Sequence, residues 1–240
     1  APRRPRVPPA RPSVSAKGVT RRPAPYIPAG VKRLGPYRPL EITWEDCLLG
    51  GGVSAQFADP SLPLHVEIGP GDDTFLMDSA AAEPDKNWLG LEYSRKRVRR
   101  YVRRVEREQG HPANLRLLWR PASDVVAPFL TPDVVAGYHI YFPDPWPKAH
   151  HARYRLMAPA FAASLRDSLV PGGELRMATD SIAYAEEIVA SVAEVDGLVN
   201  VLGPTGYEPR DVGEHITAFE RRWRDAGRHI LALRFEKPRA

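Results

Sequence analysis

Short apolar runs alternate along this chain with segments whose apolar residues recur every three or four positions. The runs are short enough for buried strands, and seven strands are predicted: 64–68, 88–92, 114–119, 134–141, 174–178, 198–202 and 229–235. Four of the intervening segments are predicted to be helices: 74–82, 94–109, 154–169 and 182–195. The third helix is expected to stop at a turn, Pro171-Gly172-Gly173. This alternation predicts an α/β fold in which helices cover both faces of a mostly parallel, seven-stranded sheet.

The ends of the first two predicted strands carry residues suited to a nucleotide cofactor. A turn with Gly69 and Gly71 follows the first strand, and glycine lets the backbone approach a ligand closely. Glu92 ends the second strand 21 residues after Gly71, which is the spacing at which an acid reaches a ribose diol. No third glycine completes the dinucleotide fingerprint, and this argues against NAD.

Residues 141–148 form the most distinctive stretch, directly after the predicted strand 134–141. Three prolines in this stretch exclude both strand and helix, so we expect a stiff, extended loop. In an open α/β sheet, ligands bind at the carboxyl ends of the strands. The loop presents a carboxylate (Asp144), an aromatic ring (Trp146) and a cation (Lys148) at such a position.

Positive charge is concentrated in the first 40 residues. They carry ten of the 34 Lys and Arg residues and none of the 29 acids, although the formal net charge of the chain is only +5. The Pro- and Arg-rich composition predicts a disordered or extended basic arm at 1–39, followed by a folded domain at 40–240. The arm either contacts RNA phosphates or is a solubilising extension, and both interpretations stay open.

A second concentration of positive charge lies on the predicted helix 94–109. Its apolar side is expected to face the core. The other side is almost entirely basic: Arg95, Lys96, Arg97, Arg99, Arg100, Arg103, Arg104 and Arg107. A charged helix face is usually only solvated, but charge of nearly one sign also fits contact with phosphates.

Composition also narrows the cellular setting. The single Cys47 has no partner for a disulfide or a cysteine metal site, and this suits a reducing cytosol. The adjacent His150 and His151 are not expected to converge on one ion. No apolar run approaches the roughly 20 residues of a membrane span, and no secretory pattern is visible. We therefore expect a cytoplasmic protein with no metal and no membrane partner.

Several motifs occur together in one order and with matching gaps. They are Glu67-Ile68-Gly69-x-Gly71, Gly90-Leu91-Glu92, Phe142-Pro143-Asp144-Pro145-Trp146-x-Lys148, Pro171-Gly172-Gly173, Ala178-Thr179-Asp180 and Thr217-x-Phe219-Glu220. The set resembles the bacterial tRNA (guanine-N7-)-methyltransferases over roughly residues 64–237. That resemblance implies a Rossmann-like class I methyltransferase that uses S-adenosylmethionine and has tRNA as its partner. It also implies methylation of the guanosine at position 46, in the variable loop.

The resemblance further implies roles for individual residues. Asp144 would stand at the reaction centre. The cofactor site would comprise Glu67, Gly69, Gly71, Glu92, Pro121 and Asp144. The tRNA and its target guanine would be held by Lys148, Asp180, Thr217, Phe219 and Glu220. Two positions depart from the family: Asp73 stands where a third glycine is usual, and Pro121 stands where an Asp or Asn is usual, with Asp124 a turn away.

The chemistry of this reaction agrees with the residues present. Guanine N7 carries a lone pair and no proton at neutral pH, so the reaction needs alignment and electrostatics rather than a general base. Two alternatives stay open: an RNA-binding protein of this fold with weak or lost methyl transfer, and an N7-guanine methyltransferase acting on another RNA. The sequence is compatible with a monomer or a homodimer.

Overall fold

The computed structural model describes residues 40–130, 132–145, 155–203, 205–210 and 216–239. The predicted basic arm lies outside these residues, so the domain boundary at residue 40 stays a prediction. Trp146, Lys148, His150 and His151 also lie outside them.

Nine strands form one sheet within the described residues. They are β1 (Glu41–Ile42), β2 (Leu64–Ile68), β3 (Asn87–Glu92), β4 (Leu115–Trp119), β5 (Val135–Tyr141), β6 (Leu169–Thr179), β7 (Val199–Asn200), β8 (Glu208–Pro209) and β9 (Leu231–Glu236). Their order is β1-β4-β3-β2-β5-β6-β9-β7, with β8 also paired to β9. Neighbours from β1 to β6 are parallel, and β9 runs antiparallel to β6, β7 and β8. The predicted mostly parallel sheet is therefore confirmed.

Seven helices connect these strands within the same residues. They are α1 (Trp44–Leu49), α2 (Phe75–Ala82), α3 (Arg95–Gln109), α4 (Val126–Phe129), α5 (Pro159–Ser168), α6 (Ile182–Ala193) and α7 (Ala218–Asp225). Side-chain caps fix where several of them begin. Thr43 and Asp46 form a reciprocal capping box at α1, and the Ser181 hydroxyl accepts the N–H of Tyr184 at α6.

The alternation of side chains along β3 and β4 divides the core between the two faces of the sheet. Trp88, Leu115 and Leu117 pack with the apolar sides of α2 and α3. Leu89 and Leu118, one residue out of phase, belong to the cluster that includes residues of α5 and α6. Each of these fully buried apolar side chains stabilises the fold by about 1.5–3 kcal/mol. Helices on both faces are thus confirmed.

The predicted count of seven strands was wrong, because β1 and β8 add to it. Each of these strands has only two residues, so neither leaves an apolar run that periodicity can detect. All seven predicted strands are present, although the predicted run 198–202 pairs over two residues only.

The predicted helix 154–169 and the turn after it were also wrong in detail. Residues 155–158 are not helical, and α5 begins at Pro159 because proline pushes the residue before it, Ala158, into an extended conformation. Pro171-Gly172-Gly173 lies inside β6 as an irregularity in its pairing with β5. Gly172 adopts φ +82°, and its N–H donates to the carbonyl of Lys237 at 2.7 Å.

Candidate active site

Several of the predicted site residues lie at the edge of the sheet where the parallel strands end. The strand order reverses between β2 and β5, and ligands bind in the crevice beyond such a switch point. The glycine turn follows β2, Glu92 ends β3, residues 142–145 follow β5 and Asp180 follows β6.

Glu92 holds the glycine turn in place. Its Oε2 accepts the N–H of Gly71 at 3.2 Å, and its Oε1 accepts the N–H of Ser94 at 2.7 Å. One carboxylate, only 1 % exposed, therefore links the turn to the start of α3. Each of its oxygens keeps a second lone pair that can accept from a ribose hydroxyl.

The glycine turn has the backbone shape of a cradle for a ligand. Gly69 and Gly71 have φ values of +76° and +61°, which side chains other than glycine adopt at a cost. A Cβ atom added to Gly69 would meet no atom within 4 Å, so it would project into open space beside the turn. Both observations fit a site in which a bound molecule lies against the bare backbone.

Glu67 lies beneath this turn as a buried acid with an unsatisfied oxygen. The residue is 3 % exposed, and its Oε2 has no hydrogen-bond partner among the described residues. Burial raises the pKa of Glu67 well above its ordinary value, and the charges of Asp73 and Glu92 raise it further. Such an orphaned acceptor fits the ammonium group of a bound amino acid moiety, because a cation would satisfy both the oxygen and its charge.

The loop after β5 places Asp144 at the surface. Phe142 adopts φ +51°, a strained value for this residue that costs about 1–3 kcal/mol, and its N–H donates to the carbonyl of Ala178 at 2.8 Å. Its ring lies 4.8 Å from the ring of Phe219, measured between centroids. Asp144 is exposed two residues further on. The loop therefore carries the predicted catalytic carboxylate next to the predicted substrate segment.

The predicted substrate segment forms the start of α7. The Thr217 hydroxyl accepts the N–H of Glu220 at 2.9 Å and so caps the helix, and Phe219 keeps 37 % of its surface exposed. Glu220 is fully buried, and its carboxylate pairs with Arg210 at 3.0 Å and with Arg224 at 2.6 Å. Its predicted contact with guanine stays a prediction.

Asp180 is also ion-paired within the described residues. Its carboxylate lies 2.5 Å from the guanidinium of Arg228, which in turn lies 3.7 Å from the ring centroid of Trp223. The side chain of Arg228, which follows α7 and packs on Trp223 of that helix, thus reaches the residue after β6.

Pro121 lies where β4 leads into its connection. It is exposed, and its carbonyl accepts the N–H of Asp124 at 3.0 Å. The Asp124 carboxylate accepts the hydroxyl of Ser123 at 3.2 Å. Trp119, at the end of β4, donates its indole N–H to the carbonyl of Tyr93 at 2.9 Å.

A cavity of about 300 Å³ lies elsewhere, on the face of the sheet that α2 covers. His65, Trp88, His139 and Tyr141 line part of it. His65 Nδ1 lies 3.1 Å from His139 Nε2. Burial lowers the pKa of His65 to about 4, with a smaller contribution from the charge of Lys86, and burial lowers the pKa of His139 well below its ordinary value. The two histidines are therefore neutral at pH 7, and one donates to the other.

Two further observations concern only the part of the chain that the structure describes. Within it, no group of three or more His, Cys, Asp and Glu side chains could hold a metal ion. The helices described there are all too short or too polar to cross a membrane.

Comparisons with known proteins point to methyltransferases. Residues 61–233 match the family model Methyltransf_4, described as "Putative methyltransferase". A tRNA (guanine-N(7)-)-methyltransferase of Alcanivorax borkumensis is 37 % identical over 175 residues, which cover 73 % of this chain and 72 % of the relative. A second tRNA (guanine-N(7)-)-methyltransferase, from Alkalilimnicola ehrlichii, is 33 % identical over 210 residues, which cover 85 % of this chain and 87 % of the relative.

Among solved structures, the 16S rRNA methyltransferase KamB superposes with a TM-score of 0.51 at 18 % identity, over 73 % of this chain and 88 % of that one. Together, the sheet order, the glycine turn and the family match identify a class I methyltransferase, a Rossmann-like enzyme that uses S-adenosylmethionine. The sequence relatives then identify the branch of this class. The chain belongs to the tRNA (guanine-N7-)-methyltransferase family.

Proposed function

We propose that this protein transfers the methyl group of S-adenosylmethionine to N7 of a guanosine in tRNA, at position 46 of the variable loop. The observation that carries the proposal is the unsatisfied, buried Glu67 beneath the bare glycine turn, at the same sheet edge as Asp144. A tRNA substrate places the reaction in the cytoplasm.

The cofactor residues have separate tasks in this proposal. Glu67 accepts the ammonium of the methionine moiety, which satisfies its orphaned oxygen. Glu92 accepts from the ribose hydroxyls while it holds the turn. Gly69 and Gly71 let the cofactor lie against the backbone, and Pro121 lies beside the adenine without contributing a side-chain hydrogen bond.

The reaction itself requires alignment and electrostatic stabilisation. When bound, S-adenosylmethionine supplies an electrophilic methyl group on a cationic sulfur. The N7 lone pair would form the new bond to carbon as the sulfur–carbon bond electrons return to sulfur, so the residues of this chain would have to align the two groups without moving a proton. Asp144 stabilises the positive charge as it passes to the purine. It can do so because the stiff loop after β5 holds it at the surface, where RNA can approach.

The substrate side of the proposal uses the start of α7. Phe219 is half-exposed beside Phe142, and the two rings offer an aromatic surface on which an extruded guanine can stack. Lys148, Asp180, Thr217 and Glu220 are assigned to the substrate by resemblance.

The basic side of α3 suits the RNA backbone. Four exposed cations of α3 form no ion pair within the described residues: Lys96, Arg97, Arg99 and Arg103. Helix α3 also starts close to Glu92. Outside α3 and the first 40 residues, the chain carries more acids than bases, so this helix is a local concentration of positive charge. We therefore assign phosphate contacts to it, which would add affinity without adding sequence specificity.

The test is methyl transfer from labelled S-adenosylmethionine to tRNA that lacks modifications, with the product nucleoside and its position identified. Label in 7-methylguanosine at position 46 is the expected result. Label at N7 of guanosine in another RNA would show that the substrate is that RNA rather than tRNA. Measurable tRNA binding without any transfer would instead favour an RNA-binding protein of this fold.

A further inference from the structure

Asp73 ends the glycine turn, and its carboxylate lies between the first turns of two helices. Its Oδ1 accepts the N–H groups of Thr74 at 2.7 Å and of Phe75 at 3.3 Å, at the start of α2. The same oxygen accepts the N–H of Ala218 at 2.9 Å, and Oδ2 accepts the N–H of Phe219 at 2.9 Å. These last two residues are 145 and 146 positions away in the sequence.

The contact with α7 satisfies backbone groups that a helix cannot satisfy by itself. The first N–H groups of a helix have no partner within it. In α7, the N–H of Glu220 donates to the Thr217 hydroxyl, and the N–H groups of Ala218 and Phe219 both donate to Asp73. The negative charge also interacts favourably with the helix dipole. Two of these three donors therefore depend on a side chain of the cofactor turn.

Other contacts fix the remaining sides of α7. Arg210 and Arg224 hold its buried Glu220, and the Phe219 ring packs on Phe142. Asp73 is the contact, among those described, that joins the start of α7 to the glycine turn by hydrogen bonds. The segment proposed to hold the target base is thereby tied to the segment proposed to hold the methyl donor.

We propose that Asp73 is a positioning residue for methyl transfer. It fixes the start of α7 against the cofactor turn, so that the target base and the methyl donor are held at a fixed distance and orientation. This inference rests on the function proposed for the site. Transfer needs the reacting atoms about 3–3.5 Å apart, and a misplacement of about 1 Å can cost roughly 10²-fold in rate. Removing this carboxylate should therefore impair the use of tRNA even when the cofactor is saturating.

The experiment compares Asp73→Gly and Asp73→Asn with Asp72→Asn as a matched control. Asp72 is the exposed neighbour, which pairs with Arg100 at 2.7 Å and has no recorded contact with α7. At saturating S-adenosylmethionine, we expect Asp73→Gly to lower kcat/KM for tRNA by about 10- to 100-fold, as loss of charge-assisted hydrogen bonds implies. Asp73→Asn keeps one acceptor oxygen, so its kcat/KM should lie between those of wild type and Asp73→Gly. The kcat/KM of Asp72→Asn should stay within about twofold of wild type.

A second readout does not depend on activity. In the protein without cofactor, amide hydrogen exchange at Ala218 and Phe219 should be at least about tenfold faster in Asp73→Gly than in wild type, and unchanged in Asp72→Asn. Unchanged exchange in both Asp73 variants would overturn the inference. So would an Asp73→Gly enzyme as active on tRNA as the Asp72→Asn control, given an active wild type. A wild type that methylates no tRNA would overturn the proposed function and the positioning role together.

Discussion

Replacing Glu67 by Gln should stabilise the protein while weakening its hold on the cofactor. The carboxyl group is buried and has an oxygen without a partner, and its pKa is raised well above 4.5, first by burial and then by Asp73 and Glu92. The folded state therefore binds more protons at this site than the unfolded state does. The stability that this group contributes is present in full below pH 4.5 and is lost as the pH rises towards the folded pKa.

The amide of Gln has nearly the same shape and cannot ionise, so the variant escapes this loss. The free energy of unfolding of the variant should exceed that of wild type by an amount that grows with pH above 4.5. Linkage limits this growth to about 1.4 kcal/mol for each pH unit up to the folded pKa. For a chain of this size, such a gain corresponds to roughly 3–6 °C in melting temperature.

The assay is urea unfolding of the cofactor-free protein at pH 5, 6 and 7 and constant ionic strength. Glu194→Gln, an exposed acid after α6, is the matched control and should give a curve parallel to wild type. S-adenosylmethionine should bind about 10- to 100-fold more weakly to Glu67→Gln, because a charge-assisted contact with its ammonium is worth about 1.5–3 kcal/mol. Parallel stability curves for Glu67→Gln and wild type would refute the reasoning from burial. Unchanged cofactor affinity would refute the assigned contact.

Three further predictions concern other parts of the molecule. Asp144→Asn should lower kcat by about 100-fold at saturating cofactor and tRNA, since it removes a preorganised charge, and a single-turnover rate equal to that of wild type would contradict this role. Because the pKa of His65 is lowered to about 4, its stabilising effect should be present above pH 6.5 and lost as the pH falls towards 4, so urea unfolding should show a weaker acid dependence for His65→Gln. Equal acid dependence would count against a buried neutral histidine. Replacing Lys96, Arg99 and Arg103 together by Ala should reduce the slope of log K for tRNA against log salt by about two to three, whereas an unchanged slope would exclude α3 from the RNA contact.

The central sheet could be predicted because its signal is local. Each of the parallel strands from β2 to β6 carries an apolar run, and the periodicity of α3 and α6 marks helices within a few residues of their observed bounds. The spacing from Gly71 to Glu92 predicted an acid that reaches a ribose; the structure shows this acid 3.2 Å from the Gly71 N–H, and the ribose contact itself stays a prediction.

What the sequence could not reveal depends on distant partners. Pro171-Gly172-Gly173 has the composition of a turn, and only the pairing of β6 with β5 and with the segment after β9 holds it inside a strand. Asp73 looked like a replacement for a glycine, and its true partners lie about 145 positions away. Likewise, the sequence around Glu220 gave no sign that Arg210, which lies outside its helix, would pair with it. Local propensity carries no information about such contacts.

The place of β9 in the sheet has a consequence for how the chain folds during synthesis. This strand lies between β6 and β7 although it follows both in the sequence. The ribosome therefore exposes the glycine turn, Glu92 and the loop after β5 well before the strand that completes this half of the sheet. Since α7 is made just ahead of β9, the parallel strands can pair early, and the start of α7, which is proposed to hold the target base, is assembled last.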